Sequence, residues 1–210
     1  MHKGSGYFIT LEGCEGSGKS TQLKMLCAYL EEKGIDAVYT REPGGTVISE
    51  KIRSIILDNE NKIMSDEAEA LLYAASRIQN VKEKILPALE SGKTVICDRY
   101  VDSSFAYQAY ARGLGYDFIY NINEFAIKTC MPDMTLFFDI SPERAFERKG
   151  GVDTGDRIEL SGLDFHKSVY NGYNKLAEKF SDRIVRIDAT KSKAEIFANV
   201  KANLNRLGIV

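Results

Sequence analysis

The fold of this chain is decided near its start by the stretch Gly13-Cys14-Glu15-Gly16-Ser17-Gly18-Lys19-Ser20. It fits a pattern of glycine, any four residues, then Gly-Lys followed by serine or threonine. In such a loop the small residues let consecutive backbone N–H groups point at phosphate oxygens, the lysine adds positive charge, and the hydroxyl can bind Mg²⁺. The stretch therefore predicts a loop that binds the phosphates of a nucleoside triphosphate, called the phosphate loop below.

The residues on either side of the phosphate loop support this prediction. The preceding run, Tyr7-Phe8-Ile9-Thr10-Leu11, is typical of a buried strand, and the following run, Thr21-Gln22-Leu23-Lys24-Met25-Leu26, is typical of a helix. A strand that leads through such a loop into a helix is the setting that phosphate binding requires. A purely structural glycine turn is the alternative interpretation.

Length and composition predict one globular domain, residues 1–210. The chain is 44% hydrophobic and 28% charged, which is ordinary for a domain with a sizeable core, and no linker or repeat divides it. The net charge of -2 provides no overall field that would attract nucleic acid or an anionic membrane. No window approaches the roughly 20 apolar residues of a membrane span. With four scattered cysteines as well, we expect a soluble cytoplasmic protein with reduced thiols.

Five short apolar runs alternate with stretches of helical periodicity. The runs are residues 7–11, 37–40, 94–98, 135–139 and 184–188. Such alternation predicts βα units with right-handed crossovers. We therefore expect an α/β fold in three layers, with a five-stranded parallel sheet covered by helices on both faces.

Charged residues follow two of the predicted strands. The second strand leads into Arg41-Glu42-Pro43-Gly44-Gly45, and Asp98 ends the third strand with Arg99 directly after it. Parallel sheets of this kind bind ligands at the carboxyl ends of their strands, and an aspartate there can hold the water shell of a metal. The alternatives are a solvated turn at residues 41–45 and a helix-capping role for Asp98.

A long helix is predicted to begin near Ser65, which suits an N-cap, and Pro87 should kink or divide it. Tyr73 and Arg77 are four residues apart, so they share a face and could line a pocket. The alternative is an aromatic residue at the rim beside a surface arginine. The apolar residues at helical spacing, which we expect to form the buried stripe, are Leu71, Leu72, Ala75, Ile78, Val81 and Ile85.

The most specific motif of the chain is Ile96-Cys97-Asp98-Arg99-Tyr100-Val101-Asp102-Ser103-Ser104-Phe105-Ala106-Tyr107-Gln108. At every constrained position it resembles the motif of the thymidylate kinases. Similar motifs follow the family order over nearly the whole chain: the phosphate loop, Thr40-Arg41-Glu42-Pro43-Gly44-Gly45, Ala74-Ala75-Ser76-Arg77 and Asp156-Arg157-Ile158-Glu159. The overall pattern is most similar to bacterial members. The resemblance implies a P-loop kinase fold with strand order 2-3-1-4-5 and a short lid at about residues 148–157.

The same resemblance implies transfer of the γ-phosphoryl group of ATP to the 5′-phosphate of dTMP, giving dTDP, with Mg²⁺ required. ATP would be bound by the phosphate loop and Thr21, and Mg²⁺ by Ser20 and Asp98. Positive groups would let the two phosphates approach each other, so the chemistry is chiefly positioning and electrostatics. The catalytic residues would be Lys19, Asp98, Arg99 and Arg148.

The dTMP site implied by the resemblance would hold the phosphate, the sugar and the base separately. Guanidinium groups suit the phosphate because they bind two oxygens at once. Those groups would be Arg41, within its Arg-Glu-Pro motif Arg41-Glu42-Pro43, together with Arg53 and Arg99.

For the base and sugar, thymine would stack on Tyr73, where the family commonly has phenylalanine. Arg77, and Ser104 with Gln108, would read the carbonyl and N–H edges of the base, where cytosine presents a different pattern. Tyr107 would crowd a ribose 2′-hydroxyl, and Glu15 would accept from the 3′-hydroxyl.

One departure from the family pattern concerns the lid. Members place an activating arginine either in the phosphate loop or in the lid, and the loop here has none. Residues 150–155 also lack one, which leaves Arg148, Lys149 and Arg157 as lid candidates. Helix-end position and charge favour Arg148 over the γ-phosphate, with Lys149 as the less directional alternative.

Two rival functions are alternatives to the one that the resemblance implies, and the resemblance also implies an oligomeric state. The nearest rival is a deoxynucleoside kinase or another nucleoside monophosphate kinase. A GTPase-like switch would need Asn-Lys-x-Asp and Asp-x-x-Gly motifs, and the sequence contains neither. The resemblance also implies a homodimer packed through helices.

Overall fold

A computed structural model describes residues 6–149 and 155–210. Within them, five strands form one sheet in which all neighbours run parallel. Their order is β2-β3-β1-β4-β5, which confirms the predicted fold class and strand order. The strands are β1 (Phe8–Glu12), β2 (Ala37–Arg41), β3 (Thr94–Asp98), β4 (Met134–Asp139) and β5 (Ile184–Asp188).

Helices connect the strands. They are α1 (Lys19–Glu32), α2 (Val47–Leu57), α3 (Asp66–Asn80), α4 (Leu86–Glu90), α5 (Val101–Ser104), α6 (Tyr116–Ile122), α7 (Glu124–Thr129), α8 (Pro142–Lys149), α9 (Leu163–Lys179) and α10 (Lys193–Leu207). Two π-helical segments, Val81–Ile85 and Phe105–Ala111, follow α3 and α5. The helix predicted from Ser65 continues to Glu90, because the π-helical segment Val81–Ile85 joins α3 to α4, and Pro87 lies in the first turn of α4. None of the helices described is both long and apolar enough to cross a bilayer.

The sheet separates two hydrophobic cores, because successive side chains of a strand point to opposite faces. Phe8 and Val95 belong to the core that α9 and the segment Phe105–Ala111 cover. Ile9 and Ile96 belong to the core beneath α1 and α10. Both faces are covered, which explains why the strands are apolar at nearly every position.

The central position of β1 places the phosphate loop at the middle of the carboxyl edge. β1 pairs with β3 on one side and β4 on the other, so the connections diverge there, and ligands bind at such points. Leu11 lies opposite Asp98, which in turn lies opposite Arg41. The segments that follow β1, β2 and β3 therefore start from neighbouring positions.

The buried stripe predicted for the long helix is wrong over α3. Leu71 is 51% exposed and Ile78 is also exposed, whereas Val81 and Ile85, beyond α3, are buried as expected. The buried face of α3 is instead largely polar, with Glu69, Ser76, Arg77 and Asn80 alongside Ala70 and Ala74. Hydrophobic periodicity failed because these polar groups find partners inside the protein, which removes the usual cost of burying them.

Candidate active site

The phosphate loop runs from the buried end of β1 into the first turn of α1. Gly16 and Gly18 have φ angles of 76° and 94°, the left-handed region that favours glycine. A Cβ on Gly16 would lie 2.4 Å from the carbonyl oxygen of Ala145 on α8. The loop therefore needs glycine at Gly16 for both its backbone conformation and its close approach to α8.

Lys19 is buried beneath the loop at the start of α1. Its Nζ donates hydrogen bonds of 2.9 Å to the carbonyl oxygens of Gly13 and Cys14. Burial, together with the positive charge of Arg99, lowers the pKa of Lys19. The amine is thus held within the curve of the loop, where phosphate oxygens would bind.

A cavity of about 310 Å³ opens over the loop, lined by Glu15, Gly16, Gly18, Lys19, Ser20, Thr21, Asp98 and Arg148. Asp98 Oδ1 is buried and has no hydrogen-bond partner among the described residues. An orphaned carboxylate oxygen is costly unless water or a cation binds it. Asp98 and the exposed hydroxyl of Ser20 therefore fit the oxygen ligands that Mg²⁺ prefers. Within the described residues no group of three or more His, Cys, Asp or Glu side chains could hold a metal, so such an ion would need phosphate and water as further ligands.

Arg99, directly after β3, joins this cavity to a second pocket. Its backbone has φ 65°, in the left-handed region that a residue with a side chain seldom adopts. Its guanidinium donates to the carbonyl oxygen of Gly13 at 3.0 Å and forms an ion pair with Glu15, so it is anchored to the phosphate loop at two points. It also donates to the hydroxyl of Tyr173 at 3.2 Å.

Glu12 holds this junction together from inside the protein, although the sequence analysis did not single it out. Its buried carboxylate accepts hydrogen bonds from the backbone N–H of Tyr100 at 2.7 Å and from the hydroxyls of Ser103 and Tyr173 at 2.6 and 2.7 Å. Burial, with repulsion from Asp102, raises the pKa of Glu12 to about 7. A signal was present in the sequence, because a glutamate that ends an apolar central strand needs internal partners.

The second pocket is enclosed and lies between α3 and the segments after β3. Its lining residues are Glu42, Tyr73, Arg77, Arg99, Tyr100, Ser103, Tyr107 and Gln108. Six of the predicted dTMP-binding residues therefore line this pocket, namely Glu42, Tyr73, Arg77, Arg99, Tyr107 and Gln108. The Tyr107 hydroxyl is buried without a hydrogen-bond partner among the described residues.

Arg77 is 1% exposed, so the alternative of a surface arginine is wrong. Its Nε donates to Glu42 at 2.7 Å, Nη1 donates to Ser104 Oγ at 2.9 Å and to Asn123 Oδ1 at 2.6 Å, and Nη2 donates to the carbonyl oxygen of Tyr100 at 3.0 Å. These contacts use four of the five N–H groups of a guanidinium. The fifth, on Nη2, has no acceptor among the described residues.

Comparison with known proteins agrees with this geometry. The model of the family described as thymidylate kinase matches residues 11–200. The chain belongs to the thymidylate kinase family. It is 52% identical over 206 residues to a Clostridium novyi protein named thymidylate kinase, covering 97% of this chain and 100% of that protein. It is 53% identical over 190 residues to the Oceanobacillus iheyensis protein of the same name, covering 90% and 84% respectively, and 50% identical over 203 residues to that of Finegoldia magna, covering 97% and 100%.

Arg41, which the resemblance assigned to the acceptor phosphate, does not line the enclosed pocket. Its side chain is 54% exposed and pairs with Glu50 at 3.0 Å, while Thr40 and Glu42 beside it are buried. Side chains alternate along a strand, so the end of β2 turns Arg41 outward when it turns its neighbours inward. Arg53 is partly buried and donates to the carbonyl oxygen of Pro43 at 2.8 Å.

The lid candidates occupy different places in this thymidylate kinase family member. Arg148 lines the cavity over the phosphate loop and donates to the carbonyl oxygens of Ala189 and Thr190 at 2.5 and 3.1 Å. Arg157 instead donates to Glu69 at 2.5 Å and to the carbonyl oxygen of Ile56 at 2.9 Å. Lid residues 150–154 and the side chain of Lys149 lie outside the described residues.

Replacing Glu12 with glutamine should remove a pH dependence from the free energy of unfolding. The folded-state pKa of about 7 exceeds the ordinary value of 4.5, so between these values the folded protein binds more protons than the unfolded chain. The stability that Glu12 contributes is therefore complete below pH 4.5 and is lost as the pH rises through 7, by about 3 kcal/mol. Urea unfolding at about pH 5 and about pH 8 should show that the free energy of unfolding of the wild type falls by most of this amount as the pH rises, relative to that of Glu12→Gln.

The matched control is Glu32→Gln, which makes the same chemical change at an exposed position of α1. Its pH dependence should follow that of wild type. Parallel stability curves for wild type and Glu12→Gln would contradict the raised pKa of Glu12.

Proposed function

We propose that this chain is a thymidylate kinase that transfers the γ-phosphoryl group of ATP to dTMP. The observation that carries the proposal is the position of Arg99. It lines the enclosed pocket and also contacts Gly13 and Glu15 of the phosphate loop. A second pocket connected through a guanidinium to a triphosphate-binding loop is what transfer between two bound nucleotides requires.

In this proposal the acceptor phosphate binds Arg99 and Arg53. Two guanidinium groups neutralise the acceptor and so reduce its repulsion from the donor phosphates. Glu15 accepts from the 3′-hydroxyl of the sugar, and Tyr107 occupies the space of a ribose 2′-hydroxyl. Arg41, with its Glu50 pair, shapes the turn at residues 43–45 instead of touching substrate, since Glu50 also accepts from the Gly45 N–H at 2.8 Å.

The base stacks on Tyr73 and is read by Arg77 and Gln108. Arg77 has one N–H still to donate, which suits a carbonyl oxygen of thymine. Glu42 and Ser104 act by holding Arg77, with hydrogen bonds of 2.7 and 2.9 Å. Both reading side chains are themselves buried, so the pocket is organised before substrate binds.

The donor side of the proposed site consists of the phosphate loop with Thr21, and ATP is the co-substrate that the kinase family implies. Lys19 neutralises phosphate oxygens, and the small residues of the loop expose backbone N–H groups to them. Ser20 and Asp98 would hold Mg²⁺, since one provides a hydroxyl and the other an unpartnered carboxylate oxygen. When bound, Mg²⁺ neutralises charge on the donor phosphates.

A coupled assay of ATP with thymidine, dTMP, dUMP and dCMP tests the proposal, and dTMP should be the best acceptor. Lys19→Met should lower the turnover number with dTMP at least about a hundredfold, because it removes the charge beneath the phosphates. Lys24→Met, at an exposed position of the same helix, should leave turnover close to wild type. If thymidine or dCMP were the best acceptor, the proposal would be wrong and the chain would be one of the rival kinases.

Arg148→Ala should lower the turnover number roughly a thousandfold while sparing the KM for dTMP, if Arg148 serves as the activating arginine. Its position over the phosphate loop, at the end of α8, supports this role, and closure would move it from the carbonyl groups that it now contacts. The control is Arg206→Ala, which removes an exposed arginine from α10. A raised KM for ATP with unchanged turnover would assign Arg148 to nucleotide binding instead.

We also propose a homodimer, in the cytoplasm, that associates through α2 and α3. These helices pack together and expose apolar side chains seven residues apart, Ile48 with Ile55 on α2 and Leu71 with Ile78 on α3. Seven residues are two helical turns, so each pair shares one face. Exposed apolar groups that recur on one face indicate a surface covered by another protein.

Combining Ile48→Glu with Leu71→Glu should convert the dimer to monomer, because association would bury unpaired carboxylates. Sedimentation equilibrium of both proteins gives the mass directly. Ile63→Glu is the control, since Ile63 is fully exposed and lies on neither helix. A dimer that survives the paired substitution would place the interface elsewhere.

A further inference from the structure

A buried carboxylate, that of Glu69 on α3, lies behind the enclosed pocket. Glu69 is completely buried, yet it is absent from the residues that line the pocket in the described part of the chain. It therefore cannot be explained as a direct contact to the acceptor base. A buried carboxylate is costly without strong partners, so its surroundings indicate what it does.

Glu69 accepts hydrogen bonds from two distant segments, residues 105–112 and the segment that contains Arg157. It accepts from Gln108 Nε2 at 2.9 Å, from Arg112 Nη2 at 3.1 Å and from Arg157 Nη2 at 2.5 Å. Arg112 and Arg157 form ion pairs with the carboxylate, and a carboxylate oxygen accepts hydrogen bonds but does not donate them. Of these partners, Gln108 alone belongs to the pocket lining.

This contact fixes which end of the Gln108 amide faces Glu69. A side-chain amide has a donating NH₂ and an accepting oxygen, and only the NH₂ can face a carboxylate without repulsion. The oxygen, Oε1, is then directed away from Glu69. Among the described residues no donor contacts Oε1, although Gln108 is only 1% exposed and lines the pocket. Oε1 is thus available to accept a hydrogen bond from a ligand in the pocket.

The amide orientation matters because pyrimidine bases differ at this edge. Thymine and uracil carry an N3–H donor beside a carbonyl oxygen, whereas cytosine carries an N3 acceptor beside an amino group. Arg77 can only donate, and Gln108 with its oxygen inward can only accept. Together they complement thymine, while cytosine would face acceptor against acceptor and donor against donor.

We propose that Glu69 is a positioning residue for base discrimination, because it holds the Gln108 amide with its oxygen toward the base. This inference rests on the proposed function, in which Arg77 and Gln108 read the base. Glu69 itself touches no substrate. It favours dTMP over dCMP by preventing the amide of Gln108 from turning over to suit cytosine.

Glu69→Gln tests this directly, because a glutamine can donate as well as accept and so no longer dictates the amide orientation. The ratio of kcat/KM for dTMP to kcat/KM for dCMP should fall about tenfold. Replacing one hydrogen bond with a mismatch typically changes relative affinity by about this factor. The change should lie mainly in KM, since the phosphates and Arg99 are untouched. Gln108→Met, which removes the amide, should reduce the ratio similarly.

A double-mutant cycle separates positioning from general damage. Once Gln108→Met is present, Glu69→Gln should change the dTMP to dCMP ratio no further, because the group through which Glu69 acts is gone. Arg112→Met removes a different partner of Glu69, and Glu67→Gln makes the same chemical change at an exposed position of α3. Both controls should keep the wild-type ratio.

Glu69→Asp covers the case in which Glu69→Gln does not fold, as judged by thermal unfolding. It keeps the negative charge for Arg112 and Arg157 but withdraws the carboxylate from Gln108, and it should also lower the ratio. An unchanged ratio in the folded Glu69 variants, with a lowered ratio in Gln108→Met, would overturn the inference and leave the proposed function intact. Wild-type protein that does not prefer dTMP would overturn the proposed function itself.

Discussion

The hydrogen bonds of the Glu12 carboxylate are the contacts on which the rest of the site depends. Glu12 ends the central strand, and its partners come from the segment after β3 and from α9. Those partners, Ser103 and Tyr173, also contact Arg99. Arg99 can therefore reach the phosphate loop and the enclosed pocket together, with a backbone conformation that needs such support to persist. A strand-end carboxylate inside the protein thus supports Arg99 through Ser103 and Tyr173.

The burial of charge on α3 follows the same physical rule. Arg77 is paired with Glu42, and Glu69 is paired with Arg112 and Arg157, so each buried charge has an opposite charge within hydrogen-bond distance. Removing one partner of such a pair destabilises the folded protein by far more than the intact pair stabilises it. The polar side of α3 therefore holds a rigid pocket wall, and its apolar side is left facing outward. This reversal of the usual pattern lets one helix serve both proposals, substrate recognition through its polar side and association through its apolar side.

Arg148 and Arg157 flank the lid in sequence but serve different parts of the molecule. Arg148 lies over the phosphate loop, whereas Arg157 ties the segment after the lid to Glu69 and to the end of α2. Through Glu69, the residues after the lid are joined to Gln108 in the pocket. The described residues before position 150 thus contact the cavity over the phosphate loop, and those after position 154 contact the side chains behind the enclosed pocket.

Sequence alone determined the phosphate loop, the alternation of strands and helices, the strand order through family resemblance, and most residues that meet in the enclosed pocket. These follow from local patterns, because glycine spacing and apolar periodicity act over a few residues. Tertiary structure alone decided the outward turn of Arg41, the polar buried face of α3, and the partners of Glu12 and Glu69. Each depends on partners between 9 and 161 residues away along the chain, from the pairing of Arg41 with Glu50 to the contact of Glu12 with Tyr173. From sequence alone, a polar residue is predicted to be exposed. Its burial can be predicted only when the partner that permits it is known, and the fold brings that partner to it.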